Sequence, residues 1–146
     1  SLISNKSKEF RKEEIFILII EYLMKYHFHS SESNYPIKQS DNIKKICEFL
    51  EKNFDKNISL DMLSNITNLS KYHLLRSFTK ETGITPYGYL ETVRIEKAKI
   101  FLEKGISPSE TAFLTGFNDQ SHFSNFFKKF IGLTPKQYQN IFINKN

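Results

Sequence analysis

The sequence predicts an all-α protein made of short helices. Apolar side chains recur at helical spacing, as in the stripe of Phe123, Phe126, Phe127, Phe130 and Ile131. From residue 41 onward, serine, threonine and aspartate stand where helices begin, and glycine stands where they end. Residues 70–90 are also repeated at 119–139, which indicates that one small helical unit is duplicated.

Composition supports a packed domain with an acidic partner. The chain has 146 residues, 39% of them hydrophobic and 14% aromatic, enough for one domain and an appendage. The net charge is +5. Residues 41–146 hold fifteen basic and eleven acidic side chains, so +4 of this charge lies in the C-terminal part. A basic surplus favours partners such as nucleic acid.

Several classes of protein are disfavoured. A single cysteine, Cys47, excludes an internal disulfide and a zinc site built on paired cysteines. The longest apolar run, residues 15–20, is far shorter than the ~20 residues that span a bilayer. We therefore expect a cytoplasmic, nucleoid-associated protein with no membrane contact, metal or cofactor. Because the chain starts on serine, we expect a fragment or a processed product.

The N-terminal segment predicts one helix over residues 8–28, which contain neither glycine nor proline. The middle of this helix is apolar on every side, so more than one neighbour must bury it. A second copy of the chain or a missing N-terminal domain can supply that cover, and packing on its own C-terminal domain is the alternative. The serine- and asparagine-rich residues 29–42 predict a linker with a domain boundary near Ser40.

The later helices have readable ends. Asp41 is expected to cap a helix reaching about residue 53, and Ser59 one reaching Ile66. A capping box with proline at the first helical position begins at Ser107. The cap-then-proline pair recurs as Thr85-Pro86 and Thr134-Pro135, and the expected stop positions are Gly83, Gly105, Gly116 and Gly132.

The repeat defines two helix-turn-helix units, at about residues 59–83 and 107–132. A shift of 49 residues aligns His73 with His122, Gly83 with Gly132, and Lys80 with Lys129, among others. A short capped helix and a tight turn precede each copy, which is the arrangement of a helix-turn-helix. Between them, residues 86–104 predict a helix about 28 Å long. The predicted fold is therefore two helix-turn-helix subdomains joined by a linker helix and preceded by an apolar N-terminal helix.

A helix-turn-helix places the first turns of its second helix at base edges in the major groove. The side chains there are expected to read bases: Lys71, Tyr72, Arg76, Gln120, Ser121, His122 and Asn125. Arginine can pair with guanine and an amide with adenine. Predicted phosphate contacts are Ser70, His73, Lys80, Arg94, Asn118, Lys128 and Lys129. The linker helix is long enough to hold both units near adjacent grooves, about 34 Å apart.

The stretch "GFNDQSHFSNFFKKFIGLTPKQY" resembles the C-terminal DNA-binding domain of AraC/XylS transcription regulators, and the resemblance extends over about residues 42–142. It implies seven helices and base-reading positions at Tyr72, Leu75 and Arg76, then at the four second-unit positions named above. Leu75 departs from the polar residue often found there. An apolar side chain can touch a thymine methyl group but cannot donate to a base.

The resemblance also implies a regulator, such as an activator, whose partners are double-stranded DNA and RNA polymerase. It implies that residues 1–40 end an effector or dimerisation domain, and that residues 41–146 form the DNA-binding domain. The effector is unknown and is expected to bind a missing N-terminal domain, for which a receiver domain is an alternative. Residues 8–28 are then candidates for pairing two copies.

Two other functions compete with DNA binding. An enzyme using His27, His29 and Cys47 as metal ligands is disfavoured, because a His-x-His pair beside a linker is more often solvated and no phosphate-binding or dinucleotide fingerprint is present. The second alternative is an adaptor whose helices bind only protein. Salt dependence separates this adaptor from a DNA-binding protein, since only contacts with phosphates release counterions.

Overall fold

A computed structural model describes residues 2–27 and 38–144. These residues form helices and turns without a strand, which confirms the all-α fold class. In chain order the helices of the described residues are α1 Leu2–His27, α2 Lys38–Lys52, α3 Leu60–Thr67, α4 Lys71–Thr82, α5 Pro86–Glu103, α6 Pro108–Leu114, α7 Gln120–Ile131 and α8 Pro135–Ile143. Helices α2 to α8 are the seven that the resemblance implied.

The start of α2 differs from the prediction. The helix begins at Lys38, so Asp41 lies within its first turn and is not its cap. A carboxylate in the first turn still stabilises the helix, because its negative charge interacts with the positive end of the helix dipole. The expected boundary near Ser40 therefore falls inside a helix. Most of the predicted linker, residues 28–37, lies outside the described residues.

The chain divides into two compact units, each described here by itself. The first contains α1 to α4 and α5 as far as Tyr89, and the second contains residues 53–57, α5 from Leu90 onward, and α6 to α8. Helix α1 is therefore part of the first unit. This agrees with the alternative prediction, in which the N-terminal helix packs on the C-terminal domain of its own chain. That residues 1–40 end an effector domain stays a prediction.

The core of the first unit lies where α2, α3 and α4 meet. Ile46 and Leu50 of α2, Leu63 of α3, and Leu74 and Phe78 of α4 have no exposed surface. Their spacing of three or four residues within each helix turns one apolar face inward. This packing fixes α4 as the second helix of the first helix-turn-helix.

The second unit has an equivalent core, formed by Ala98 and Leu102 of α5, Ala112 of α6, and Phe123 and Phe127 of α7. The apolar stripe predicted on α7 is narrower than expected. Phe126 and Ile131 pack against the core but are only partly buried, and Phe130 is 51% exposed.

The helix caps lie at the predicted residues, but the capping box that was predicted at Ser107 is formed at Thr134. Ser59 Oγ accepts the N–H of Met62, and Thr85 Oγ accepts the N–H of Gly88. Ser107 Oγ accepts the N–H of Glu110 at 3.2 Å. The reciprocal pair of bonds that defines a capping box is formed in α8, between Thr134 and Gln137.

Both units repeat one side-chain contact. The Tyr89 hydroxyl donates to Glu51 in the first unit, and the Tyr138 hydroxyl donates to Glu103 in the second. Burial and the Glu103 carboxylate together raise the pKa of Tyr138 to about 12. Each tyrosine thus joins the segment after its helix-turn-helix to the helix before it, and its hydroxyl finds the hydrogen-bond partner that a partly buried tyrosine requires.

Candidate nucleic-acid interface

The second helix of each helix-turn-helix begins at a side-chain cap. Ser70 Oγ accepts the N–H of His73 at the start of α4, and Asp119 accepts the N–H of His122 at the start of α7. These bonds satisfy backbone donors that would otherwise lack partners at a helix start. The helix starts are therefore fixed by local bonds, with the predicted base-reading residues in the first two turns.

The predicted base-reading side chains of α7 form an exposed polar surface. Gln120, Ser121, His122 and Asn125 are all exposed. Phe123 and Phe127 of the same helix belong to the core of the second unit and are completely buried. The His122 ring also stands edge-on to Phe117, with 5.7 Å between ring centroids, so part of this side chain supports the turn.

The equivalent side chains of α4 are half-buried, and two of them form ion pairs with other helices. Lys71 forms ion pairs with Glu13 of α1 and with Asp61 of α3, the latter at 2.9 Å. Arg76 Nε lies 3.6 Å from a carboxylate oxygen of Glu21, also on α1. Hydrogen bonds with Glu13 and then with Asp61 raise the pKa of Lys71. Two cationic side chains of α4, Lys71 and Arg76, are thus paired with carboxylates of the same chain.

Aromatic contacts complete the α4 surface. The Tyr72 hydroxyl lies 3.4 Å from Nη1 of Arg76, which donates to it, and the Tyr72 and His73 rings meet edge to face at 5.5 Å. Both residues are half-buried. The predicted base-reading group of α4 is therefore brought together, although each member already has protein contacts.

Leu75 corrects one of the predicted contacts. Its side chain is 1% exposed and belongs to the hydrophobic core. A side chain without accessible surface cannot reach a thymine methyl group, so the expected base contact of Leu75 is wrong for this structure. The departure from a polar residue at this position is explained by its burial.

Arg94 corrects a second prediction, that of a phosphate contact. The side chain is 2% exposed, and its guanidinium donates to the carbonyl oxygens of Phe54 at 2.8 Å and Lys56 at 3.0 Å. The group also lies over the Phe117 ring at 5.9 Å. Arg94 holds residues 53–57 to the second unit, because a buried guanidinium must satisfy its donors inside the protein.

The remaining predicted phosphate contacts are accessible, apart from His73. Ser70, Lys80, Asn118, Lys128 and Lys129 are all exposed. Lys128 and Lys129 lie in the last turn of α7. A positive charge there also stabilises the helix by interacting with the negative end of its dipole. Their positions are compatible with binding along a phosphate backbone.

Sequence reasoning missed the acidic residues of α1 that contact α4. Glu13 and Glu21 stand 58 and 55 residues before their partners Lys71 and Arg76. The alternating charge at the start of α1 is a local signal for a helix, and it does not identify a distant partner. Only the packing of α1 on the first unit brings these charges together.

The described residues do not test the metal-ligand alternative, because His29 and the side chain of His27 are not among them. They contain no group of three or more histidine, cysteine or acidic residues that could hold a metal, while His29 lies outside them. Burial raises the pKa of the Cys47 thiol, which works against a reactive thiolate.

Within the part of the chain that the structure covers, every helix is too short or too polar to cross a membrane.

The two units, each with a capped second helix, define a helix-turn-helix protein of the class that binds DNA. A family described as a helix-turn-helix domain matches residues 63–141. The chain belongs to this helix-turn-helix domain family, of the AraC type.

Bacterial relatives agree with this family. The chain is 50% identical over 121 residues to the uncharacterized HTH-type transcriptional regulator YbfI of Bacillus subtilis, covering 83% of this chain and 44% of that protein. It is 29% identical over 136 residues to the regulator SACOL0084 of Staphylococcus aureus, covering 92% of this chain and 18% of that protein. The chain thus spans less than half the length of these curated relatives.

Solved structures share the fold. The C-terminal domain of the two-component response regulator yesN from Fusobacterium nucleatum is 35% identical, with a TM-score of 0.62 over 66% of this chain and 95% of that chain. The C-terminal domain of AraT, a response regulator from Geobacillus stearothermophilus, is 28% identical, with a TM-score of 0.65 over 68% and 84%. The DNA-binding domain of AdpA, solved with a target DNA, shares the fold at 20% identity, with a TM-score of 0.65 over 71% and 97%.

Proposed function

We propose that this chain is the DNA-binding part of a transcription regulator and that it recognises a specific duplex sequence. The observation that carries the proposal is the exposed polar surface on the first two turns of α7, at the second helix of a helix-turn-helix. This is the part of the motif that meets base edges in the major groove. The AdpA domain, of the same fold, was solved with a target DNA.

Each exposed group of α7 has a complementary partner in DNA. The amides of Gln120 and Asn125 can pair with N6 and N7 of adenine, and the Ser121 hydroxyl can bond to several bases. Lys128 and Lys129 supply the sequence-independent attraction to phosphates. Helix α4 contributes through Lys71, Tyr72 and Arg76, so that α4 and α7 enter adjacent major grooves of one bipartite site.

Further partners follow from the same proposal. RNA polymerase is the partner through which such a regulator acts as an activator in the cytoplasm, and an effector binds another domain of the longer protein. The exposed apolar face of α1 pairs with a second copy of the chain. Its exposed side chains include Ile15, Phe16, Ile19, Tyr22, Leu23 and Met24. An apolar surface of this extent is typical of a protein interface.

Selection from random duplexes of about 30 base pairs at near-physiological salt tests the proposal. We expect two short enriched blocks about one helical turn apart, one for each helix-turn-helix. The affinity for the selected duplex should fall steeply with salt, with a log-log slope of about −0.9 for each phosphate neutralised. A single block would restrict base reading to α7. No enrichment together with a flat salt dependence would support the protein adaptor instead.

A further inference from the structure

The internal repeat allows the two predicted recognition surfaces to be compared position by position. Lys71, Tyr72, His73 and Arg76 of α4 correspond to Gln120, Ser121, His122 and Asn125 of α7. All four residues of α7 are exposed, whereas all four of α4 are half-buried. Since the two helices are equivalent within their motifs, the lower exposure of α4 requires a feature that the second unit lacks among its described residues.

For Lys71 and Arg76 helix α1 supplies such a feature, because it meets α4 through opposite charges. Glu13 pairs with Lys71, and Glu21 pairs with Arg76. The Lys71 and Arg76 side chains keep 34% and 35% of their surface exposed, and those of Glu13 and Glu21 keep 35% and 24%. Each carboxylate thus occupies a cationic group of α4, and Lys71 is shared between Glu13 and Asp61 of α3.

Buried contacts on the same helix fix α1 in this position. Phe10 is 2% exposed and packs against the Tyr87 ring, with 5.3 Å between centroids. Glu14, also 2% exposed, accepts the backbone N–H of Tyr87 at 2.8 Å. This bond satisfies a donor in the first turn of α5. The two anchors hold Glu13 against α4, so the ion pairs are part of a built surface and not a chance meeting of mobile side chains.

We propose that α1 is an intramolecular restraint on DNA binding, in which Glu13 and Glu21 compete with DNA for Lys71 and Arg76. This inference rests on the proposed function and concerns the regulation of the same site. DNA can bind the first unit fully only when these ion pairs exchange for contacts with the duplex. The free energy needed to break the ion pairs is subtracted from the free energy of DNA binding, as thermodynamic linkage requires. A signal that shifts α1 would therefore strengthen binding without altering any residue of α4.

Removing the two carboxylates without changing side-chain size tests the restraint. We expect Glu13→Gln/Glu21→Gln to bind the selected duplex about three- to tenfold more tightly than the wild-type chain, as partly exposed ion pairs allow. Fluorescence anisotropy at fixed salt measures the affinity. The matched control is Glu9→Gln/Glu48→Gln, which makes the same charge change at exposed sites of α1 and α2. Equal tightening in both double variants would reduce the effect to net charge and overturn the proposal.

A second variant separates release of α4 from damage to the fold. In the wild-type background Lys71→Gln should change affinity less than about twofold, whereas in the Glu13→Gln/Glu21→Gln background it should weaken binding about fivefold. Additive effects in the two backgrounds would overturn the proposal. Thermal unfolding of every variant checks that the substitutions leave the fold intact.

The outcomes also distinguish the inference from the proposed function. If the wild-type chain binds no duplex under any condition and the variants behave alike, DNA binding itself is wrong. If the wild-type chain binds a selected duplex but Glu13→Gln/Glu21→Gln matches its control, only the restraint is wrong.

Discussion

At the residue scale, the surroundings of a basic side chain decide whether it can reach DNA. Arg94, Lys71 and Lys129 are equally plausible phosphate or base partners in the sequence. In the structure Arg94 is buried against backbone carbonyls, Lys71 is paired with carboxylates, and Lys129 is exposed. Desolvation removes the first from binding, and competition weakens the second. Of these three side chains Lys129 is the exposed one, so we predict that it can meet a phosphate without giving up a described protein contact.

Two substitutions on one face of α7 should give different signatures. Asn125→Ala should lose discrimination at a single base pair, at a cost of about 1–3 kcal/mol, because the amide reads one base. Lys129→Ala, four residues later, should weaken binding to all sequences alike and reduce the salt slope by about one phosphate. Affinities for the selected duplex and for single-base-pair variants of it measure both effects. Uniform losses from both substitutions would show that Asn125 does not read a base.

At the scale of the element, the second helix-turn-helix depends on a turn that only glycine fits. Gly116 has φ 83°, and a Cβ there would lie 2.8 Å from the Phe54 carbonyl oxygen and 2.9 Å from Nη2 of Arg94. The turn therefore approaches the buried arginine and the chain segment that this arginine holds. Gly83 has a similar φ of 79° at the end of α4, but a Cβ there meets nothing within 4 Å.

This contrast predicts unequal costs for the same substitution. Gly83→Ala should lower the free energy of unfolding by about 1 kcal/mol, the strain of a left-handed alanine. Gly116→Ala should lower it by about 3 kcal/mol or more, because the collision with backbone and guanidinium adds to that strain. Urea unfolding followed by circular dichroism gives both values. Equal costs would mean that residues 53–57 move aside readily and that the Arg94 contacts hold them weakly.

At the scale of the whole molecule, α1 has two different faces. One face carries Phe10 and Glu14 into the first unit, and the other exposes large apolar side chains such as Phe16, at 63%, and Leu23, at 49%. A helix placed in this way can respond to a protein partner on its outer face while its inner face contacts α4. Dimerisation and the restraint on DNA binding would then act on the same helix.

We expect the chain to form dimers that Phe16→Glu/Leu23→Glu converts to monomers, because two carboxylates cannot be buried in an apolar interface without partners. Sedimentation equilibrium measures the molecular mass. The control is Phe113→Glu, which changes a side chain that is 80% exposed on α6 of the second unit. Dimers that persist in the double variant would place the interface elsewhere, and a monomeric wild-type chain would contradict pairing through α1.

The sequence by itself determined the helices, the duplication and the family. Helical periodicity, caps and stop signals act over three or four residues, so Ser59, Thr134 and Gly132 could be read directly from their neighbours. The repeat then located α4 and α7 and the polar side of each. The prediction of Asp41 as the cap of α2 was wrong because a local aspartate signal is consistent both with a helix cap and with a position in the first turn.

Only the tertiary structure decided which of the predicted side chains remain available. Burial of Leu75 and Arg94 depends on segments far along the chain, as does the pairing of Lys71 with Glu13. No local pattern encodes such contacts, because they arise when separate helices pack and bring distant charges and surfaces together. The sequence therefore determined where a DNA-binding surface can form, and the packing of α1 and of residues 53–57 decided which residues of that surface are free to bind.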